Sequence, residues 1–279
     1  MAALTIEVRP LSEAGGAEIA GVDLSRPVDA AAQEAILDAW HAHHMLLFRD
    51  QSLDDAAAVR FCRIFGEIQP ERQTPSAADR HEPGIHYVAN TRKDAILPDG
   101  DIWFHSDQIF YDLPAMATSL YCIDAPACGG ETRFGNCHLA YESLDEETKR
   151  RLEGLKAESS YLYNSPNRLH KVTAERSGNE LCATHPVVRT HPVTGRKGLY
   201  VNRLMTDFIV GMDRAESDAL LERLFDRIEQ PQFLWQHKWR EGDQVIWDNR
   251  SVVHARNTYD HINDRRTLRR IAVKGDMPF

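Results

Sequence analysis

The chain has 279 residues, with 33 Lys and Arg against 42 Asp and Glu, giving a formal charge of −9 with histidines neutral. That balance argues against a nucleic-acid footprint, and 42% hydrophobic with 27% charged residues fits a globular chain with a sizeable core, excluding disordered or collagen-like order. No apolar run approaches the ~18 residues a membrane helix needs, so no membrane partner is expected.

The first residues show no basic leader followed by an apolar block, and cytoplasmic residence is the expectation. The five cysteines, Cys62, Cys122, Cys128, Cys137 and Cys182, contain no Cys-x-x-Cys pair, which suits reduced thiols better than a disulfide scaffold. With no repeat or low-complexity linker to cut at, residues 1–279 read as a single domain.

In chain order, Ile19 to Leu24 and Met45 to Phe48 read as short strands. Between them Ala30 to His44 carries Ile36, Leu37 and Trp40 at helical spacing. A second helix is expected from Asp54 to Phe65, stopped by Gly66. Ala115 to Asp124 is β-rich, Gly129-Gly130 breaks it, and Leu139 to Leu155 reads as one polar helix ending near Gly154. Thr184 to Thr190 and Gly198 to Asn202 flank the turn residues Pro192 to Gly195. Phe233 to Trp239 is expected to pair with Gln244 to Trp247 across Glu241-Gly242-Asp243. Asp213 to Glu229 is an amphipathic helix with Leu220, Leu221, Leu224, Phe225 and Ile228 on one face. The order suits a barrel or sandwich of antiparallel strands with helices packed on one face, not an alternating βαβ plan, and neither a Rossmann nor a phosphate-loop fingerprint is present.

The segment Trp103-Phe104-His105-Ser106-Asp107 carries the first chemical signal. Residues two apart on a strand share a face, so His105 and Asp107 offer an imidazole nitrogen and a carboxylate oxygen together. Val245 to His254, a β-rich hairpin, delivers a second histidine that a closed barrel would return beside the first strand. Two histidines and one carboxylate leave about three positions of an octahedron open, as non-haem Fe(II) requires, and zinc is admissible on ligand type alone. A zinc hydrolase usually adds a general base, and no Glu stands next to these residues in sequence.

Arg265-Arg266-Thr267-Leu268-Arg269-Arg270 opens a strand near the end. Alternation puts Arg266, Leu268 and Arg270 on one face and Arg265, Thr267 and Arg269 on the other, so one arginine pair can enter a barrel while the other stays solvated. An inward guanidinium calls for an anion, and a carboxylate suits its paired donors.

Taken jointly, His105-Ser106-Asp107, Gly129-Gly130-Glu131-Thr132, Trp247-Asp248-Asn249-Arg250 leading to His254, and Arg266 with Arg270 resemble the Fe(II)/2-oxoglutarate-dependent dioxygenases of the taurine dioxygenase and 2,4-dichlorophenoxyacetate dioxygenase family. The resemblance spans most of the chain. It implies a mainly β fold with peripheral helices, the double-stranded β-helix or jelly roll, with His105, Asp107 and His254 as catalytic residues and ligands of Fe(II). It further implies that 2-oxoglutarate and O2 are cosubstrates, with Thr132 and Arg266 on the distal carboxylate of 2-oxoglutarate. Arg270 would meet an anionic substrate. Because His254 to this strand is one residue longer than in the taurine enzyme, Arg265 is the alternative to Arg266.

The implied reaction hydroxylates a small, anionic organic molecule, an aryloxyalkanoate, sulfonate or amino-acid-like acid, with release of succinate and CO2. Asp107 fills the position that related halogenases leave empty, which favours hydroxylation. A dimer or tetramer is expected from relatives. The competing readings are a zinc-dependent hydrolase and a non-catalytic, organic-acid-binding jelly roll.

Ile68 to Gln73 lacks the histidine and tyrosine that read the sulfonate in the taurine enzyme, so taurine itself is not the expected substrate. Phe104 is inserted before His105, and Asp94 to Asp101 reads equally as a lid or as a surface excursion. His41, His43 and His44 crowd a helix end, where the dipole favours partial protonation, and are read as structural, as are His185 and His191. Tyr161, Tyr163, Asn202 and Phe208 are read as packing residues before pocket residues.

Overall fold

The computed structural model describes residues 6–69, 84–93, 95, 102–161 and 181–279. Four strands come first: β1 (Glu7–Pro10), β2 (Ala17–Ala20), β3 (Met45–Phe48) and β4 (Ile85–Ala89), with helices α1 (Ala30–His43) and α2 (Asp55–Cys62) among them. Then follow β5 (Ile102–His105), β6 (Ala117–Asp124), β7 (Thr132–Asn136), α3 (Cys137–Glu142) and α4 (Glu146–Leu152). A block of small elements comes next: β8 (Lys156–Ser160), β9 (Cys182–Pro186), β10 (Val188–Thr190), β11 (Lys197–Leu199) and β12 (Thr206–Ile209). The chain closes with α5 (Arg214–Ile228), β13 (Leu234–His237), β14 (Gln244–Asp248), β15 (Val252–Arg256) and β16 (Thr267–Val273).

Among the described residues two sheets make the jelly roll: a seven-stranded one in the order β1-β2-β3-β14-β6-β16-β4 and a four-stranded one in the order β13-β7-β15-β5. Alternation decides which side chains meet between them. From the large sheet Met45, Leu47, Leu120, Cys122, Val245, Trp247 and Leu268 point inward, and from the small sheet Phe134 and Val252 do so, forming the inner core. The intervening residues of the large sheet, Leu46, Phe48, Ala117, Ile246, Ile271 and Val273, pack outward against α1 and α2. Val253 and Ala255 of the small sheet pack outward against Leu220, Leu221, Leu224, Phe225 and Ile228 of α5. Helices therefore cover both outer faces instead of one, because each sheet has an apolar outer face to bury.

Several boundaries differ from expectation for local reasons. The strand expected at Ile19 to Leu24 is β2, which ends before Gly21 at φ 86°. The helix expected over Leu139 to Leu155 is two, α3 and α4, because the Asp145 carboxylate accepts from the Thr148 N–H and starts a new helix there. The second helix stops at Cys62 and reaches Gly66 through a turn. The strand expected from Thr184 to Thr190 splits at Val187, β9 pairing with β8 and only β10 with β11. The expected pairing of Phe233 to Trp239 with Gln244 to Trp247 does not form: β13 pairs with β7 in the small sheet and β14 with β3 and β6 in the large one. The Gly242 turn crosses between sheets, anchored by Gly242 N–H to Cys122 C=O and Gln51 N–H to Gly242 C=O. The segment Val245 to His254 crosses sheets likewise, β14 lying in the large sheet and β15 in the small one.

The histidines at the end of α1 also depart from expectation. Burial lowers the pKa of His41, His43 and His44, outweighing the helix dipole, and takes His44 to about 3. His44 Nε2 stands 3.2 Å from Arg196 Nη1, so the neutral ring accepts from the guanidinium. Between pH 3 and 6.5 the unfolded chain then binds more protons than the folded one, and stability falls as pH drops through that window. From pH 7 to pH 5 this one group accounts for about 2 kcal/mol. A His44→Asn variant, which tolerates the φ of 65° at this position, is expected to show a flatter melting temperature over that range, read by calorimetry at each pH.

Candidate metal centre

His105 closes β5 and His254 lies in the middle of β15, directly opposite it in register. Their ring centroids are 4.0 Å apart. Asp107 follows in the turn after β5, and one ligand atom from each of His105, Asp107 and His254 lies within 4.8 Å of the others. His254 Nε2 is 3.9 Å from Asp107 Oδ2. The three residues singled out from sequence are thus brought together from two adjacent strands and the turn between sheets.

The protonation states suit a cation. His105 Nδ1 lies 2.8 Å from the Trp103 carbonyl, which accepts from it, leaving Nε2 with a free lone pair. Burial lowers the pKa of both histidines, that of His254 to about 3, so both rings are neutral donors at ordinary pH. For Asp107 burial acts upward, but Arg270, His254 and His105 together overcome it and hold the carboxyl below its usual range. Arg270 Nη2 is 3.0 Å from Asp107 Oδ1, and the Thr118 hydroxyl donates to Oδ2 at 2.6 Å. Thr118 and Arg270 come from the large sheet, so Asp107 ties the two sheets together at the site.

Asn249 fixes the backbone of Asp107. Its Oδ1 accepts from the Asp107 N–H at 2.8 Å, and its Nδ2 donates to the Asp107 carbonyl at 2.8 Å and to the Ala115 carbonyl at 2.9 Å. The turn bearing Asn249 is itself held by Asp248, fully buried, which accepts from Arg250 Nε and Nη2 and from His191 Nε2, each at 2.8 Å. His191 therefore has a carboxylate partner that its sequence neighbourhood did not reveal. In sequence Asn249 stands within the Trp247 to Arg250 motif with nothing to mark its task, and Thr118 carries no signal beyond its place in a β-rich run. Asn249→Ala is expected to weaken metal binding about 10- to 100-fold with little loss of fold, as titration calorimetry with Mn(II) would show.

A second set of residues sits on the same inner face. Arg266 is 2% exposed, and its Nε donates to the Gly130 carbonyl at 3.2 Å. Among the described residues no carboxylate pairs with it, and burial, followed by the neighbouring Arg256 charge, pushes its pKa down to about 10. Arg265, the alternative, differs from it in place: its side chain is 72% exposed and lies 3.5 Å from Asp124. Thr132 is buried and accepts from Trp239 Nε1 at 3.0 Å, which leaves its own hydroxyl proton to donate. Gly129 and Gly130 let the chain pass here: both have positive φ, and a Cβ would meet the Thr258 carbonyl at 2.4 Å or the Arg266 side chain at 3.1 Å.

His185 is structural, lying 2.8 Å from the Ile109 carbonyl. Tyr161 packs on Phe110 with centroids 4.6 Å apart, and Asn202 caps a turn through the Met205 N–H. Tyr163, the Asp94 to Asp101 excursion apart from Ala95, and Pro70 to Gln73 lie outside the described residues.

A jelly roll that gathers two histidines and an aspartate beside a buried, anion-seeking arginine defines the class of 2-oxoglutarate-dependent dioxygenases. The chain belongs to the taurine catabolism dioxygenase TauD, TfdA family, whose match covers residues 7–272. It is 31% identical over 277 residues to the (S)-phenoxypropionate/alpha-ketoglutarate-dioxygenase of Sphingobium herbicidovorans, covering 97% of this chain and 95% of that one. It is 32% identical to the alkylsulfatase of Acinetobacter baylyi, covering 98% and 86%. The crystal structure of AAD-2 in complex with Mn(II) and N-oxalylglycine superposes with a TM-score of 0.83 at 30% identity, covering 98% and 99%. These likenesses support an oxygenase and lend nothing to the zinc hydrolase. Among the described residues no helix is long and apolar enough to cross a membrane.

Proposed function

We propose that the protein is an Fe(II)- and 2-oxoglutarate-dependent dioxygenase that hydroxylates a small organic acid and releases succinate and CO2. The observation that carries the proposal is the pairing of the His105, Asp107 and His254 donors with the buried, anion-seeking Arg266. The donor set fits a divalent metal, because two neutral imidazoles and one carboxylate supply nitrogen and oxygen ligands with a single negative charge. Fe(II) and bound 2-oxoglutarate together supply the oxidising chemistry, reducing O2 as the keto acid is decarboxylated.

The residues of this chain divide the remaining work. His105, Asp107 and His254 would hold the metal while leaving about three positions for cosubstrate and gas. Arg266, 2% exposed and so screened from water, would grip the distal carboxylate of 2-oxoglutarate with Thr132 donating its hydroxyl. Thr118 and Arg270 keep Asp107 ionised and oriented. The crystal structure of AAD-2 in complex with Mn(II) and the diacid N-oxalylglycine supports this division.

Relatives named for phenoxypropionate and alkyl sulfate support a substrate with one acid group and an apolar remainder. Five free cysteines support a reducing, cytoplasmic setting. Family resemblance supports a dimer or tetramer of the 31.7 kDa chain, which sedimentation would measure. The test of function is succinate formation from 2-oxoglutarate with Fe(II) and a panel of aryloxy acids, sulfonates, alkyl sulfates and amino acids. O2-dependent release that one class accelerates is the expected result. Product formation without O2, or with zinc replacing iron, would overturn it.

A further inference from the structure

Arg266 stands one residue before β16, where the ladder with β6 is already irregular: Thr267 pairs with Asp124 and Leu268 with Cys122, a shift in register between them. Both backbone groups of Arg266 go to Asn90, the residue after β4. The Arg266 N–H donates to Asn90 Oδ1 at 2.9 Å, and the Arg266 carbonyl accepts from the Asn90 N–H at 3.2 Å.

The rest of the Asn90 amide is spent on the connection from β15 to β16. Its Nδ2 donates to the His261 carbonyl at 2.9 Å and to the Asp264 carbonyl at 2.6 Å, which uses both N–H groups. With two carbonyls on one side of the amide and an N–H on the other, its orientation is fixed by its partners. The start of the connection is held elsewhere, by Asn257 N–H to the Glu131 carbonyl and Gly130 N–H to the Thr258 carbonyl. Its middle closes on itself, the Asp260 carboxylate accepting from the Ile262 and Asn263 N–H groups at 3.1 Å, and Ile262 is exposed, so core packing does not hold it. Asn90 is thus the clasp on the end that delivers Arg266, and the Thr91 and Thr267 hydroxyls, 2.7 Å apart, repeat the link one residue on.

We propose that Asn90 is a positioning residue of the cosubstrate site: by holding the Arg266 backbone from the neighbouring strand, it sets where the guanidinium meets the distal carboxylate of 2-oxoglutarate. The inference rests on the dioxygenase reading above. Among the described residues the Asn90 side chain bonds to the connection and to Arg266, and to none of the three metal donors, so its effect passes through the arginine. Arg266 has little room to compensate for a displaced backbone, since it runs so close to Gly130 that a Cβ there would meet its Cδ at 3.1 Å. Two parallel donors on one carboxylate also demand close alignment, so a shift on the order of 1 Å costs tenfold or more.

The test is anaerobic titration of the Fe(II)-loaded protein with 2-oxoglutarate and, separately, with 2-oxopentanoate, a 2-oxo acid of the same chain length without the distal carboxylate. The visible charge-transfer band gives a Kd for each acid in the wild type, Asn90→Ala and Asn90→Ser. The wild type is expected to favour 2-oxoglutarate about a hundredfold. In Asn90→Ala that preference should fall about tenfold or more through weaker 2-oxoglutarate binding, with the Kd for 2-oxopentanoate and the affinity for Fe(II) within about threefold of wild type. Asn90→Ser, which keeps an acceptor for the Arg266 N–H and loses the two donors, should fall between them. An unchanged preference in Asn90→Ala, or both acids weakened alike as general damage would give, overturns the clasp and leaves the dioxygenase reading standing. A wild type that binds the two acids equally overturns the Arg266 contact and the clasp, and a wild type with no band overturns the dioxygenase reading as well. Should Asn90→Ala fail to fold, the same comparison in Asn90→Ser carries the decision.

Discussion

Replacing Arg266 by Met is expected to abolish 2-oxoglutarate-dependent turnover while making the ligand-free protein at least as stable. Arg266 is 2% exposed, the one hydrogen bond of its side chain among the described residues goes to the Gly130 carbonyl, and its pKa is pushed down to about 10 by burial and by Arg256. A buried charge without a counter-ion is a standing cost, and apolar residues of similar volume at such positions are often neutral or stabilising by about 1–4 kcal/mol. A bound dicarboxylate reverses the balance, since two charge-assisted hydrogen bonds are worth about 3 kcal/mol or more, about a hundredfold in affinity. Thermal melts with and without 2-oxoglutarate should therefore show a ligand-dependent rise in the wild type, measured with Mn(II) present, and none in Arg266→Met. A variant that melts lower and still responds to 2-oxoglutarate would mean that Arg266 is a packing residue. Thr132→Val makes the milder companion: it removes the hydroxyl that accepts from Trp239 Nε1 and keeps the shape.

His254→Ala is expected to cost more than about a thousandfold in turnover, equivalent to roughly 4 kcal/mol of barrier. The ring sits opposite His105, packs 4.6 Å from the Trp247 ring and has its Nε2 3.9 Å from Asp107. Its loss removes one of three metal donors and opens a cavity against Trp247, so the effect on turnover must be separated from an effect on folding. Fold integrity is read by near-ultraviolet circular dichroism, to which the buried Trp247 contributes. The expected pattern is a retained spectrum with Mn(II) affinity lost. Turnover retained within tenfold would remove His254 from the metal set.

The donor triad was legible because each part of it obeys a local rule. His-x-Asp at a strand end presents its two side chains together, and a closed barrel of the kind the strand-rich order suits could bring β15 back beside β5. Alternation sorted the arginines into two pairs, and burial shows that Arg266 lies inside while Arg265 lies at the surface. What stayed hidden depends on contacts between remote segments. Asn249 holds Asp107 from the turn joining the two sheets, and no periodicity says that an amide in that turn faces a ligand far back in the chain. The neutral state of His44 is hidden for the same reason: the helix dipole is visible in sequence, whereas burial against His138 and Arg196 is not. The pairing of β13 with β14 failed because a Gly-containing turn looks alike whether it folds a hairpin or crosses between sheets. Asn90 gave no signal either, since nothing in Val88-Ala89-Asn90 says which segment will lie beside it.

One metal ion is expected to bind to His105, Asp107 and His254 with positions left open for 2-oxoglutarate. The most direct measurement is an anaerobic optical titration of the protein with Fe(II) and then 2-oxoglutarate. The expected result is a weak visible charge-transfer band that saturates at one iron per chain, vanishes in His105→Ala and persists in His43→Ala. Identical spectra in those two variants, or no band in the wild type, would contradict it.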